Sequence, residues 1–399
     1  MTSFSIVIPT RNRAALATAA IASAIAQRDA TFEVVVSDNS SDAAQADAVR
    51  QAVDQSADSR IRYIRPPEPL PMPQHWEWST RHAVHDYVLV LTDRLVLRPG
   101  ALALLARIVE ADPLAPPDVL RWTVDAGFDA DGRLHEPEYG ASVQSRDCEE
   151  ILTDFANGAQ WRSTLLGSNS LPRGLNSAVR RELLDAIRAE HGQAFAPISP
   201  DYVSAFHILA RAKSLVEIDI SLVVAHGNQS NGASSMRDGV ANYVAPFGLD
   251  PFEGCPLNID TVINTTFRDY LWVDRALGGT LPPLDPVGYL LINWRELQLK
   301  RELGSRLDIA GMRAAILSAA GNLPEAERRA FAAGRALIDA RETIGYRLRN
   351  LLARWHVLGP LKTATAIVMG GRRAATGPKY PNVLDAIAAV PFRAPDRLG

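Results

Sequence analysis

The chain has 399 residues, 47% hydrophobic and 22% charged, with a formal net charge of −3. This is ordinary globular composition, long enough for two domains, and the lack of basic excess argues against a nucleic-acid partner. Its two cysteines, Cys148 and Cys255, lie far apart with no C-x-x-C, which gives no support to a disulfide or zinc framework and predicts a reducing, cytoplasmic compartment.

Phe4 to Pro9 is a short apolar strand that ends in the polar turn Thr10-Arg11-Asn12-Arg13. The alanine-rich stretch from Ala14 to Ala26, free of Gly and Pro, predicts a helix. Phe32 to Asp38 is a second strand, and Asn39-Ser40-Ser41-Asp42 follows it. The βαβ unit so formed puts small polar and acidic residues at the carboxyl ends of both strands, where open α/β sheets bind ligands. No G-x-G-x-x-G follows the first strand and no G-x-x-x-x-G-K-[ST] occurs anywhere, so side chains must hold any nucleotide. Asp38 can accept hydrogen bonds from a base N–H, while Thr10 and Asn12 can contact base or ribose. The same residue types cap helices, and Pro9 to Arg13 read alone is equally a strand-to-helix turn.

Together, S-I-V-I-P-T-R-N-R at Ser5 to Arg13 and E-V-V-V-S-D-N-S-S-D at Glu33 to Asp42 resemble the amino-terminal signature of family-2 glycosyltransferases. The resemblance continues through a third strand at Arg62 to Ile64 and a helix led by Met72-Pro73-Gln74-His75-Trp76. A fourth strand begins at Asp86 and ends in Thr92-Asp93-Arg94, and Leu97-Arg98-Pro99-Gly100 opens the next helix. The match is close over residues 4–110 and runs more weakly to residue 235. It implies a GT-A-type, Rossmann-like α/β nucleotide-diphospho-sugar transferase domain. The implied activity is inverting transfer of a sugar from a nucleoside diphosphate donor to an acceptor hydroxyl, in glycan or polysaccharide synthesis. The implied donor site is Pro9, Thr10, Arg11, Asn12, Asp38, Asn39, Asp93 and Arg94.

The family ends its fourth strand in D-x-D, whose carboxylates meet the ribose and a divalent metal, Mn²⁺ or Mg²⁺. Here those positions are Thr92, Asp93 and Arg94. Hard cations need oxygen ligands, and a guanidinium at a ligand position repels them. Two readings stay open. Either Arg94 lays its own planar charge on the diphosphate in place of the metal, or Asp93 serves as a lone carboxylate ligand to a weakly held ion. The second reading enlists His226 as a further ligand. His226 precedes a Gly-, Asn- and Ser-rich loop that runs to Ser235 and also suits an anion nest or a flap over the donor.

Inverting transfer needs a carboxylate to take the acceptor's proton. The resemblance assigns that role to Asp201, in Ile198-Ser199-Pro200-Asp201-Tyr202, ahead of the apolar stretch Val203 to Leu209. Read alone, the segment is a helix start: Ser199 as cap, Pro200 at the first position, Asp201 favoured by the helix dipole. The rival from another class is a non-catalytic nucleotide-sugar-binding relative with a degenerate metal site. The triplet Thr92-Asp93-Arg94 favours that rival, and Asp38 with Asp201 favours the enzyme. A nucleotidyltransferase would carry a glycine-rich basic loop after its first strand, which is missing here.

The Gly/Pro stretch at residues 278–286 marks a seam. It divides a glycosyltransferase domain over 1–277, with a nucleotide-binding half at 1–123 and an acceptor-side half at 124–277, from a helical region at 287–399. Asn176 to His191 reads as a helix, and Leu215 to Ala225 contains a strand. Beyond the seam, Val287 to Arg301 and Pro324 to Val357 read as helices, the latter burying Leu337, Ile344, Leu348, Leu351 and Trp355. Residues 341–373 carry seven Lys or Arg against Glu342, interleaved with apolar residues. That pattern suits either a solvated basic face or peripheral contact with the anionic inner face of a membrane, where a lipid-linked acceptor would lie. Residues 1–9 lack the features of a signal peptide, and no apolar run is long enough to span a bilayer.

Overall fold

The computed structural model of the chain describes residues 2–162, 170–227, 231–244, 248–354 and 378–395. It packs as two units. The first comprises Met1–Cys148, Ser170–Asn228 and Gly377–Gly399; the second comprises Glu149–Asn169 and Gln229–Thr376.

The first unit begins β1 (Ser3–Thr10), α1 (Ala14–Ile25), β2 (Thr31–Asp38), α2 (Ala43–Ser56), β3 (Ile61–Ile64), α3 (Met72–Thr80), β4 (Tyr87–Val90). It continues β5 (Leu95–Leu97), α4 (Ala101–Ala111), β6 (Val119–Thr123), β7 (Gly127–Phe128), β8 (Leu134–His135) and β9 (Val143–Arg146). After α5 (Cys148–Ala156), which leads into the second unit, the chain returns. It then forms a 3₁₀ turn (Gly174–Asn176), β10 (Ser177–Arg180), α6 (Arg181–His191), α7 (Pro200–Arg211), β11 (Leu215–Ser221) and β12 (Val223–Ala225).

Among the described residues, eight strands form one sheet in the order β3-β2-β1-β4-β10-β6-β11-β9, and β5-β12-β7-β8 form a second. β3, β2, β1 and β4 are parallel, with Thr10 opposite Asp38. β10 runs antiparallel to both β4 and β6, so β6 points the same way as β1. The order reverses beside β1, the position at which doubly wound sheets leave a crevice beyond their carboxyl ends. β1 and β2 are buried almost end to end, as strands covered on both faces must be. Ala17, Ala20 and Ala24 of α1 are fully buried, and their small side chains let the helix lie close on the sheet.

Two expectations need correction. Ser177–Arg180 is a strand rather than the first turn of a helix, because it fills the slot between β4 and β6; tertiary pairing overrides local propensity there. The stretch from Leu215 to Ala225 contains strand as expected, in two parts that separate at Leu222 and join different sheets. Leu337 is exposed; its helix instead buries Phe331, Gly334 and Ile338.

In the second unit follow α8 (Asn231–Asp238), α9 (Ala241–Val244), α10 (Val262–Ala276), α11 (Pro286–Glu302), α12 (Ile309–Gly321) and α13 (Glu325–Arg354). The glycine- and proline-rich stretch at 278–286 joins α10 to α11. Leu281 is buried there and donates its N–H to Asp274, while the Tyr270 hydroxyl donates to the Pro282 carbonyl. Side chains from residue 341 to 354, and all of 355–377, lie outside the described residues, and with them most of the basic segment 341–373. The last helix, α14 (Val383–Ala389), belongs to the first unit.

Candidate active site

The end of β1 and the end of β2 are knitted together by their own polar residues. Asn12 sits in the left-handed region at φ 54°. Its side-chain oxygen accepts the N–H groups of Ser41 and Asp42, and its amide nitrogen donates to the Ser41 hydroxyl. Asn39 is buried, and its amide bonds both the N–H and the C=O of Leu70, which pins the segment after β3. Both residues spend their side chains shaping the crevice rim. Pro9 is buried within β1, and Arg11 is exposed at the rim.

Asp38 is fully buried at the floor. One oxygen accepts the Ser40 N–H at 2.9 Å. The other accepts the Tyr63 hydroxyl at 2.8 Å and an N–H of Arg65 at 3.3 Å. Tyr63 and Arg65 carried no sequence signal as site residues; only their position at the end of β3 could have marked them. Beside them, His75 shares a 2.7 Å hydrogen bond with Ser37, and burial pushes its pKa down to about 4, so the ring is neutral.

Asp93 follows the end of β4 and is 5% exposed. It accepts the Thr10 hydroxyl at 3.0 Å and lies 3.6 Å from the Arg13 guanidinium. Burial raises its pKa, against the pull of Arg13 and the Thr10 hydrogen bond. Arg94 is half-buried and donates to the Gly227 carbonyl at 3.3 Å. Burial lowers its pKa, and the charge of nearby Arg13 adds to that effect. The His226 N–H donates to the Arg94 carbonyl at 2.8 Å, which continues the β5–β12 pairing. The His226 ring is buried, and its Nε2 has no hydrogen-bond partner among the described residues. Burial lowers its pKa; the Asp93 backbone opposes this and the Arg94 charge reinforces it. Two guanidiniums, Arg94 of the triplet and Arg13, thus stand around one carboxylate. Arg13, at the amino end of α1, is the member that motif reading passed over.

Asp201 lies in the first turn of α7, whose cap Ser199 makes no side-chain capping bond. Its carboxylate is 3.9 Å from Arg173. Burial raises its pKa, and Arg173 and backbone N–H groups at the helix start hold it back. Arg173 also faces the Tyr202 ring, 5.5 Å from its centroid. The turn after Arg173 packs on the end of β4: a Cβ at Gly174 would stand 3.2 Å from Trp76 and 3.4 Å from Val90. That contact brings Arg173 and Asp201 to the sheet edge that holds Asp93. Asp125, exposed beyond β6, adds a negative charge felt by Arg173. Neither Arg173 nor Asp125 belongs to a periodic or motif pattern.

Among the described residues, no three His, Cys, Asp or Glu side chains converge as metal ligands. At the triplet the candidate donors are Asp93, already bonded to Thr10 and paired with Arg13, and His226, whose backbone is bonded to that of Arg94. One engaged carboxylate and an imidazole beside two guanidiniums do not suit a hard dication.

Residues 5–164 match the family described as glycosyl transferase family 2. A comparison with curated proteins finds no match. Among solved structures, TarS 1–349 from S. aureus in complex with UDP-GlcNAc is similar over 87% of this chain and 92% of that one, with 14% identity and a TM-score of 0.46. The mannosyltransferase PcManGT from Pyrobaculum calidifontis, in complex with GDP-Man and Mn²⁺, is similar over 85% and 86%, with 17% identity and a TM-score of 0.40.

Proposed function

We infer the reaction from family membership: residues 5–164 belong to glycosyl transferase family 2, and the chain is a nucleotide-sugar glycosyltransferase of GT-A type. The proposed reaction is inverting transfer to an acceptor hydroxyl. Asp201 takes the hydroxyl proton as the acceptor oxygen attacks the anomeric carbon from the face opposite the diphosphate. The bond to the diphosphate oxygen breaks, and Arg94 and Arg13 meet the charge that develops there. Asp38, Tyr63 and Arg65 form the floor for the nucleoside. The observation that carries the donor reading is the pair Arg13 and Arg94 about the single carboxylate Asp93, a net positive patch where the family places a metal. A planar guanidinium fork meets phosphate oxygens two at a time. Glycan or polysaccharide synthesis, with a glycan or lipid-linked acceptor, is the role proposed for the transfer. No helix among the described residues is long and apolar enough to cross a membrane.

The test is a thermal-shift screen with nucleoside diphosphates and nucleotide sugars, followed by donor hydrolysis without acceptor. A ligand at 100 times its Kd adds about 2.7 kcal/mol of stability. Asp38→Asn keeps the shape of a fully buried group and should abolish the shift given by the preferred nucleotide. An unchanged shift in that variant would move the site elsewhere.

A further inference from the structure

Residues 378–395 return to the first unit after the whole second unit has intervened in sequence. Val383 and Ile387, one turn apart on α14, form a buried cluster with Val96, Val224 and Ala126. Val96 and Val224 are the paired central residues of β5 and β12. Arg94 lies two residues before Val96, and His226 two residues after Val224. The contact is secured at both ends of the helix. The Tyr380 N–H donates to the Gly132 carbonyl at 2.8 Å. Gly132 has φ +81°, and a Cβ there would stand 2.7 Å from the Tyr380 carbonyl oxygen, so the approach requires glycine. Beyond the helix, buried Arg98 donates to the Val390 carbonyl at 3.3 Å and pairs with Glu136. The Arg98 backbone in turn bonds Leu222, and its carbonyl accepts from Gln27 of the segment after α1.

We propose that residues 378–395 are a clamp on the β5–β12 pair, and that this clamp sets the position of Arg94 and His226 for the donor diphosphate. The proposal rests on the donor reading of Arg94 above. Ile387 and Val383 are positioning residues: they act on Arg94 through Val96 and Val224, with which they cluster. Three-residue strands have few ladder hydrogen bonds of their own, so a helix packed behind their centre decides where their ends point.

The test is a double-mutant cycle on the full chain, reading kcat/KM for the donor. Ile387→Ala should lower it about tenfold in the parent and less than about twofold in the Arg94→Ala background, because the two changes act on one interaction. The acceptor KM should not move. A merely structural role would lower thermal stability and leave the two factors to multiply. Multiplying factors, or unchanged donor kinetics in folded Ile387→Ala, would overturn the proposal. If Ile387→Ala yields no folded protein, Ile387→Val carries the same cycle with a smaller cavity. Folded parent protein with no donor turnover would instead remove the donor reading on which the clamp depends.

Discussion

Asp93 and Asp201 stand at the same sheet edge, and burial raises the pKa of both, yet they are held in different ways. Asp93 is fixed by a 3.0 Å hydrogen bond from Thr10 and the nearby Arg13 guanidinium, and almost none of it is exposed. Asp201 has one cation among the described residues, Arg173 at 3.9 Å, and 22% of its side chain is exposed. A carboxylate tied on both sides is a fixed charge that orients cations. A carboxylate with a raised pKa, open to solvent on one side, is free to take a proton. On the function proposed above, the contrast divides the site into a donor side that holds charge still and an acceptor side that moves a proton.

The largest expected effect falls on the acceptor side. Asp201→Asn removes basicity alone and should lower kcat by ~10²–10⁴-fold while donor affinity stays level. A near-parental rate would hand the role to Asp125 and leave Asp201 as part of a helix start. On the donor side, Arg94→Ala removes a charge-assisted contact of about 1.5–3 kcal/mol. Donor kcat/KM should therefore fall by about 10–100-fold, and an unchanged value would mean that Arg94 serves only the Gly227 carbonyl. The mildest variant is Arg173→Gln. Arg173 holds the Asp201 pKa down, so its loss lets burial raise that pKa further. The base works when ionised, so activity is lost as pH falls through its pKa. The acid limb of the kcat profile should then move to higher pH, with the plateau rate little changed. A limb that stays in place would show that Asp201 is not the titrating group.

The donor side was the more legible in sequence, for a physical reason. Thr10 and Asp38 end parallel strands and Asp93 follows one, and strand ends are announced by the change from apolar runs to polar residues. The helix start that carries Asp201 was legible because a proline and an acidic residue open it. Arg173 was not, since it lies before a 3₁₀ turn whose place is set by the packing of Gly174 against Val90 and Trp76. β10 was hidden for a similar reason: Ser177–Arg180 becomes a strand only because β4 and β6 flank it. The short second sheet depends on pairing between Leu95–Leu97 and Val223–Ala225, far apart in sequence. α14 did leave a trace, in Asn382 as a cap for Asp385 with Val383 and Ile387 one turn apart.

We propose that arginine charge, from Arg13 and Arg94, stands where the family uses a metal. It is tested most directly by donor turnover in the parent enzyme with chelator, and again with Mn²⁺ restored. Turnover in chelator should stay within tenfold of the untreated rate, about 1.4 kcal/mol of barrier, and Mn²⁺ should add little. Complete loss in chelator, recovered with Mn²⁺, would contradict the account and return Asp93 and His226 to the role of metal ligands.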